Sequence, residues 1–94
     1  MKPRLTYTEH TELGRVLAGI RDELTHRRTQ LHTAYPKTGH EAIPARTLEN
    51  AVQAIDAARQ TLEDLCYREH PNNAHTHTYW PNPEHRATIT TPTH

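Results

Sequence analysis

One cysteine and three histidines follow one another late in the chain: Cys66, His70, His75 and His77. Thiolate and imidazole are zinc ligands, and a structural zinc site takes four of them in a tetrahedron at about 2.0–2.3 Å. The spacing C-x3-H-x4-H-x-H differs from the usual paired zinc motifs. A plainer reading makes Cys66 a small buried apolar residue, as free cysteines commonly are, with the later histidines in solvent. Both readings carry forward.

Other chemistry is poorly served. Glu23-Leu24-Thr25-His26 has the Glu-x-x-His spacing of di-iron helical bundles, but such sites point into the bundle, and the helical reading below sends His26 outward. Arg15, Arg21, Arg27 and Arg28 with His26 and His32 make a mildly basic helix. A nucleic-acid surface needs a basic stripe free of interleaved acids, and here acids are interleaved. The chain has no serine and only three scattered glycines, so it offers neither a serine nucleophile nor a phosphate loop. A Cys66 nucleophile paired with His10 or His70 would sit at a helix C-terminus, where the dipole disfavours a thiolate. No enzyme is expected.

The elements that position these residues are two amphipathic helices. Thr6 to Glu9 fits a capping box, with Thr6 as N-cap and Glu9 reaching back to it. Apolar residues then recur at Leu13, Leu17, Ile20, Leu24 and Leu31, with Arg27 filling one step. This is a heptad seam rather than a broad face. Gly14 and Gly19 inside it weaken the helix by up to about 1 kcal/mol each relative to Ala. Pro36 disfavours the helical conformation at Tyr35 and ends the run. Residues 36–43 form a loop, and Pro44 suits a first helical turn. The second seam runs Leu48, Val52, Ile55, Arg59, Leu62 and Cys66, and His70-Pro71 stops it.

Folded back antiparallel, the seams match in one register. Leu31 meets Leu48, Arg27 meets Val52, Leu24 meets Ile55, Ile20 meets Arg59, Leu17 meets Leu62, and Leu13 meets Cys66. Arg27 and Arg59 specify this pairing while their stems cover Val52 and Ile20 and their heads snorkel to water. On one flank Arg21 faces Asp56, Arg28 faces Glu49 and Gly14 faces Glu63, so both charged pairs have opposite signs. On the other, Val16 faces Leu65, Glu23 faces Ala58 and Gln30 faces Ala51, which is small or apolar for the most part. One turn further out, His10 falls opposite Glu69, so His10, Cys66, Glu69 and His70 gather at the open end. His10 thereby joins the candidate metal set.

The chain therefore reads as an all-α protein. Residues 1–70 form a helical hairpin, with a short arm over 1–5 and helices over about 7–34 and 44–69. Residues 71–94 form a His-, Thr- and Pro-rich tail, irregular or weakly β, with short strands over 74–80 and 85–90. Tyr79, Trp80 and Ile89 could anchor that tail on the small-residue flank.

Hydrophobic residues make up 33% of the 94 and there is no Phe, so one hairpin buries too little to stand alone. Two hairpins joined through Val16, Ala51, Ala58 and Leu65 into a four-helix bundle would cover the exposed flank. The expected function is a self-associating protein-binding or regulatory module with an unidentified protein partner and no cofactor. Zinc binding through Cys66, His70, His75, His77 and His10 is the alternative, and a nucleic-acid accessory factor the second. The charges cancel, with eleven Lys plus Arg against eleven Asp plus Glu, which argues against nucleic acid and anionic membranes. A single Cys and the lack of any apolar leader or membrane span make the cytoplasm the expected compartment.

Overall fold

The computed structural model describes residues 4–89. The first three residues of the expected arm and residues 90–94 of the tail lie outside them. Helix α1 spans Tyr7–Ala34 and helix α2 spans Ile43–Glu69, and the two pack against each other. No strand occurs among the described residues.

The ends of the helices follow from local chemistry. Thr6 Oγ1 accepts the Glu9 N–H at 3.1 Å and Glu9 Oε1 accepts the Thr6 N–H at 2.9 Å, so two otherwise orphaned donors are satisfied. The Glu9 carboxyl is held below its ordinary pKa, foremost by the Thr6 backbone N–H that it accepts and then by the Thr6 side chain. At the other end, Tyr35 takes an extended conformation before Pro36 and caps the helix through its N–H to Leu31 O. The loop turns at Gly39, whose φ of 77° lies in the region that favours glycine, and Pro44 sits in the first turn of α2.

Polar pairs mark the register along the hairpin. Arg28 lies 3.9 Å from Glu49 towards the loop, and Arg21 Nε donates to Asp56 at 3.2 Å near the middle. His10 Nε2 meets Glu69 Oε1 at 3.1 Å at the open end. Partly exposed pairs of this kind stabilise little. Their value is in selecting one alignment over its one-turn slips.

The tail departs from the weakly β expectation. It runs through two short 3-10 turns, Thr76–Thr78 and Pro83–His85, and lies on the hairpin. Its backbone groups find partners there instead of in a second strand. Ala87 N–H donates to Arg15 O at 3.1 Å, and His85 O accepts from Arg15 Nε at 3.1 Å. Pro81 and Pro83 lack the donors that a paired strand would use.

Its side also differs from the expectation. The tail covers the flank carrying Gly14, Glu63 and Asp56, not the small-residue flank. A Cβ at Gly14 would run into the Thr78 carbonyl oxygen, and one at Gly19 into the Ala87 carbonyl oxygen, both well inside contact distance. The two glycines thus let the tail backbone lie directly on α1, with Ala18 buried between them. Arg86 adds a two-bond contact from Nη1 to the Asp22 carboxylate at 2.9 and 3.1 Å.

These contacts reverse the sign expected of a helix-interior glycine. Gly14→Ala should improve the propensity of α1 by about 1 kcal/mol yet lower the melting temperature, with faster proteolysis after residue 70. A variant that melts higher and keeps its tail protected would show that the close approach is not needed. Separately, Thr6→Ala should cost about 1 kcal/mol of stability in urea unfolding through loss of the N-cap.

Candidate functional site

The open end of the hairpin assembles a buried chain of polar groups. α1 supplies His10, the end of α2 supplies Glu69 and its capping residue His70, and the tail supplies Tyr79. His10 and Tyr79 are both 0% exposed. The Tyr79 hydroxyl meets His10 Nδ1 at 2.5 Å, and His10 Nε2 meets Glu69 Oε1 at 3.1 Å. A carboxylate can only accept, so His10 Nε2 carries the proton towards Glu69 and Nδ1 accepts from the phenol. His70 stands beside this chain, its ring 5.6 Å from His10 in an edge-on arrangement. His70 Nε2 lies 2.9 Å from the Leu5 carbonyl oxygen, and Arg4 approaches the second Glu69 oxygen at 3.7 Å.

Tyr79 is held from a second side. Arg59, only 3% exposed, donates from Nε to Tyr79 O at 2.9 Å and from Nη1 to Asp56 at 3.2 Å. Its guanidinium lies 3.8 Å from the centre of the Trp80 ring, while the Trp80 indole N–H donates to Glu63 at 3.1 Å. Desolvation lowers the Arg59 pKa, against the opposing pull of Asp56. The snorkelling expected of Arg59 is therefore corrected. The tail removes its head from water and supplies the carbonyl and the aromatic face in exchange.

Known proteins offer no guide to this arrangement. No family profile, curated protein or solved structure matches the chain.

The candidate metal residues separate on folding. His10 and His70 come together with Glu69, and this is the one group of convergent ligand atoms among the described residues. Cys66 is 1% exposed within the core and does not belong to it. Burial pushes the Cys66 thiol pKa up, with Glu69 and Glu63 adding to the rise. His75 and His77 pair edge-on at 5.8 Å and line a separate cleft of about 360 Å³ with Arg15 and His85. The four-ligand sulfur site drawn from C-x3-H-x4-H-x-H thus gives way to a nitrogen and oxygen cluster. Its physical cause is the burial of Cys66 in the core, while His10, Glu69 and His70 converge without it.

The other residues drawn from the sequence distribute as follows. Val16, Ala51 and Leu65 are half-buried and Ala58 is exposed. Arg27 donates to Glu23 at 2.8 Å and to Gln30 at 3.0 Å along its own helix. Tyr79 was drawn from the sequence as an anchor of the tail, but on the other flank; its bond to His10 and the tail-facing role of Gly14 and Gly19 were not. The available signal was the cluster Gly14, Ala18 and Gly19, small residues on the side of α1 away from the aliphatic seam.

Two consequences can be measured. Burial foremost pushes the Tyr79 phenol from its ordinary 10.0 up to about 12. A raised acid pKa in the folded state gives stability that is full below about pH 10 and lost as pH rises towards 12. Denaturant midpoints should therefore fall over that window, and Tyr79→Phe should flatten the fall. Buried and held as a thiol, Cys66 should resist iodoacetamide at neutral pH in the native protein and react readily in guanidinium. Rapid native labelling would place it at the surface.

Proposed function

We propose that the chain is a self-associating helical-hairpin module without enzymatic activity, whose exposed aliphatic flank takes a second copy to form a four-helix bundle. One observation carries this reading. Of the twelve Val, Leu and Ile residues in α1 and α2, only Val52 is buried. The other buried positions include Ala42 and Ala45 near the loop, Ala18, Cys66, Arg59 and His10 on the helices, and Thr78 and Tyr79 of the tail itself.

The hairpin thus has a finished side and an unfinished one. At the open end, Leu5, Leu13 and Val16 with Glu9 and Glu12 line a shallow cleft of about 420 Å³. Ala51 and Ala58 are small enough for helices to approach closely, and Val16 and Leu65 supply bulk at one end. A second copy is the occupant favoured by charge, since a chain with equal acids and bases accumulates no repulsion on doubling. Each buried aliphatic side chain would contribute about 1.5–3 kcal/mol of transfer free energy, which is the scale a marginal hairpin lacks. No helix among the described residues is long and apolar enough to cross a membrane. Further protein partners would bind the assembled module.

Ala58→Glu puts a carboxylate at the centre of the proposed contact and leaves the tail side untouched. Native mass spectrometry should show a dimer of the 10.8 kDa chain for the parent and a monomer for the variant. An identical mass for both would remove this face from the contact.

A further inference from the structure

We propose that His10, Glu69 and His70 form a binding site for a zinc-class divalent metal ion, with water as the remaining ligand, which fastens the open end of the hairpin.

The geometry is that of a site close to assembled. One ring nitrogen from each histidine and one Glu69 oxygen all lie within 4.8 Å of one another. Ligands at zinc distances on a tetrahedron stand about 3.3 Å apart, so rotation of two side chains closes the set. Two imidazoles and one carboxylate with an open fourth position is an established zinc donor set. The three residues come from elements that fold independently of any metal, since α1 and α2 are aligned by Arg21–Asp56 and Arg28–Glu49 far from this end.

The second contacts of the ligands suit the purpose. A metal-bound histidine ordinarily uses its other ring nitrogen in a hydrogen bond that fixes the ring. His10 has the Tyr79 hydroxyl on Nδ1 at 2.5 Å, which leaves Nε2 facing Glu69. An ion bound at Nε2 replaces the proton now shared with Glu69, and that proton is carried on Nδ1 with the phenol oxygen accepting. His70 Nε2 donates to the Leu5 carbonyl at 2.9 Å, and a carbonyl only accepts, so the lone pair of the neutral ring is on Nδ1. Arg4, the nearby cation, is 74% exposed and 3.7 Å from Glu69, free to swing away as the ion arrives.

Cys66 is outside this set. Its thiol is buried, and no convergent group of the described residues contains it. The donors are nitrogen and oxygen, which favours zinc and its neighbours over metals that demand sulfur. Bound metal would tie α1, the end of α2 and, through Tyr79, the tail, and so would stabilise the folded chain by mass action.

The test is isothermal titration of the full-length protein, stripped with chelator and dialysed, using Zn2+, with Co2+ absorption as the probe of donor type. The parent should take up one ion per chain and melt higher with zinc. His70→Ala removes a half-buried ring and should stay folded by circular dichroism while weakening zinc at least about tenfold. Glu69→Gln should weaken it likewise. Cys66→Ala should bind as the parent does, and the Co2+ form should lack a thiolate-to-metal charge-transfer band. No zinc uptake by the parent overturns the proposal. Equal affinity in folded His70→Ala, or a thiolate band lost in Cys66→Ala, overturns it too.

Discussion

Tyr79 is gripped from two directions, and the arrangement of the chain depends on that grip. Its hydroxyl meets His10 on α1 and its carbonyl accepts from Arg59 on α2. One tail residue therefore reads both helices at once. A polar group buried without a partner costs about 1–3 kcal/mol, so the tail that takes Arg59 and His10 out of water must also supply bonds to them. The tail turns both into anchors. Trp80 covers the Arg59 head and bonds Glu63, and the Thr78 hydroxyl pairs with Tyr7 at 3.2 Å.

That grip needs the tail backbone to come very close to α1, and Gly14 and Gly19 make room for it. The exchange is characteristic of small domains. With little apolar volume to bury, the chain gains order from hydrogen bonds and a cation over an aromatic ring. The result is a two-sided hairpin. The tail side is closed by small and polar residues, while the aliphatic residues stay half-exposed.

The same end of the hairpin concentrates ionisable groups of different fates. Cys66 is buried, and burial keeps it a thiol. His10, Glu69 and His70 remain within reach of one another at the edge of the core. Three turns of helix separate these groups from Arg21 and Asp56, so the packing of the hairpin does not rely on what occupies its end.

Much of the hairpin was legible in the sequence. Thr6 and Glu9 mark a helix start, Pro36 an end, and the heptad spacing of Leu13 to Leu31 and Leu48 to Cys66 a seam, because helical periodicity and capping act over a few residues. The opposition of Arg21 to Asp56, and of His10 to Glu69, followed from extending one register along both helices. The tail was not legible in this way. Its residues carry no period, and its partners lie some seventy positions away, as Tyr7 with Thr78 and Arg15 with His85 illustrate. Composition alone could not say which flank would receive it.

By itself, then, the sequence determined two helices, their caps and their alignment, since each rests on local rules or a repeating spacing. Only the tertiary structure decided that Gly14 and Gly19 are contact points, that Arg59 is buried, and that Cys66 parts from the histidines. Those outcomes depend on which backbone can approach which helix face, a question of three-dimensional fit that no spacing along the chain encodes.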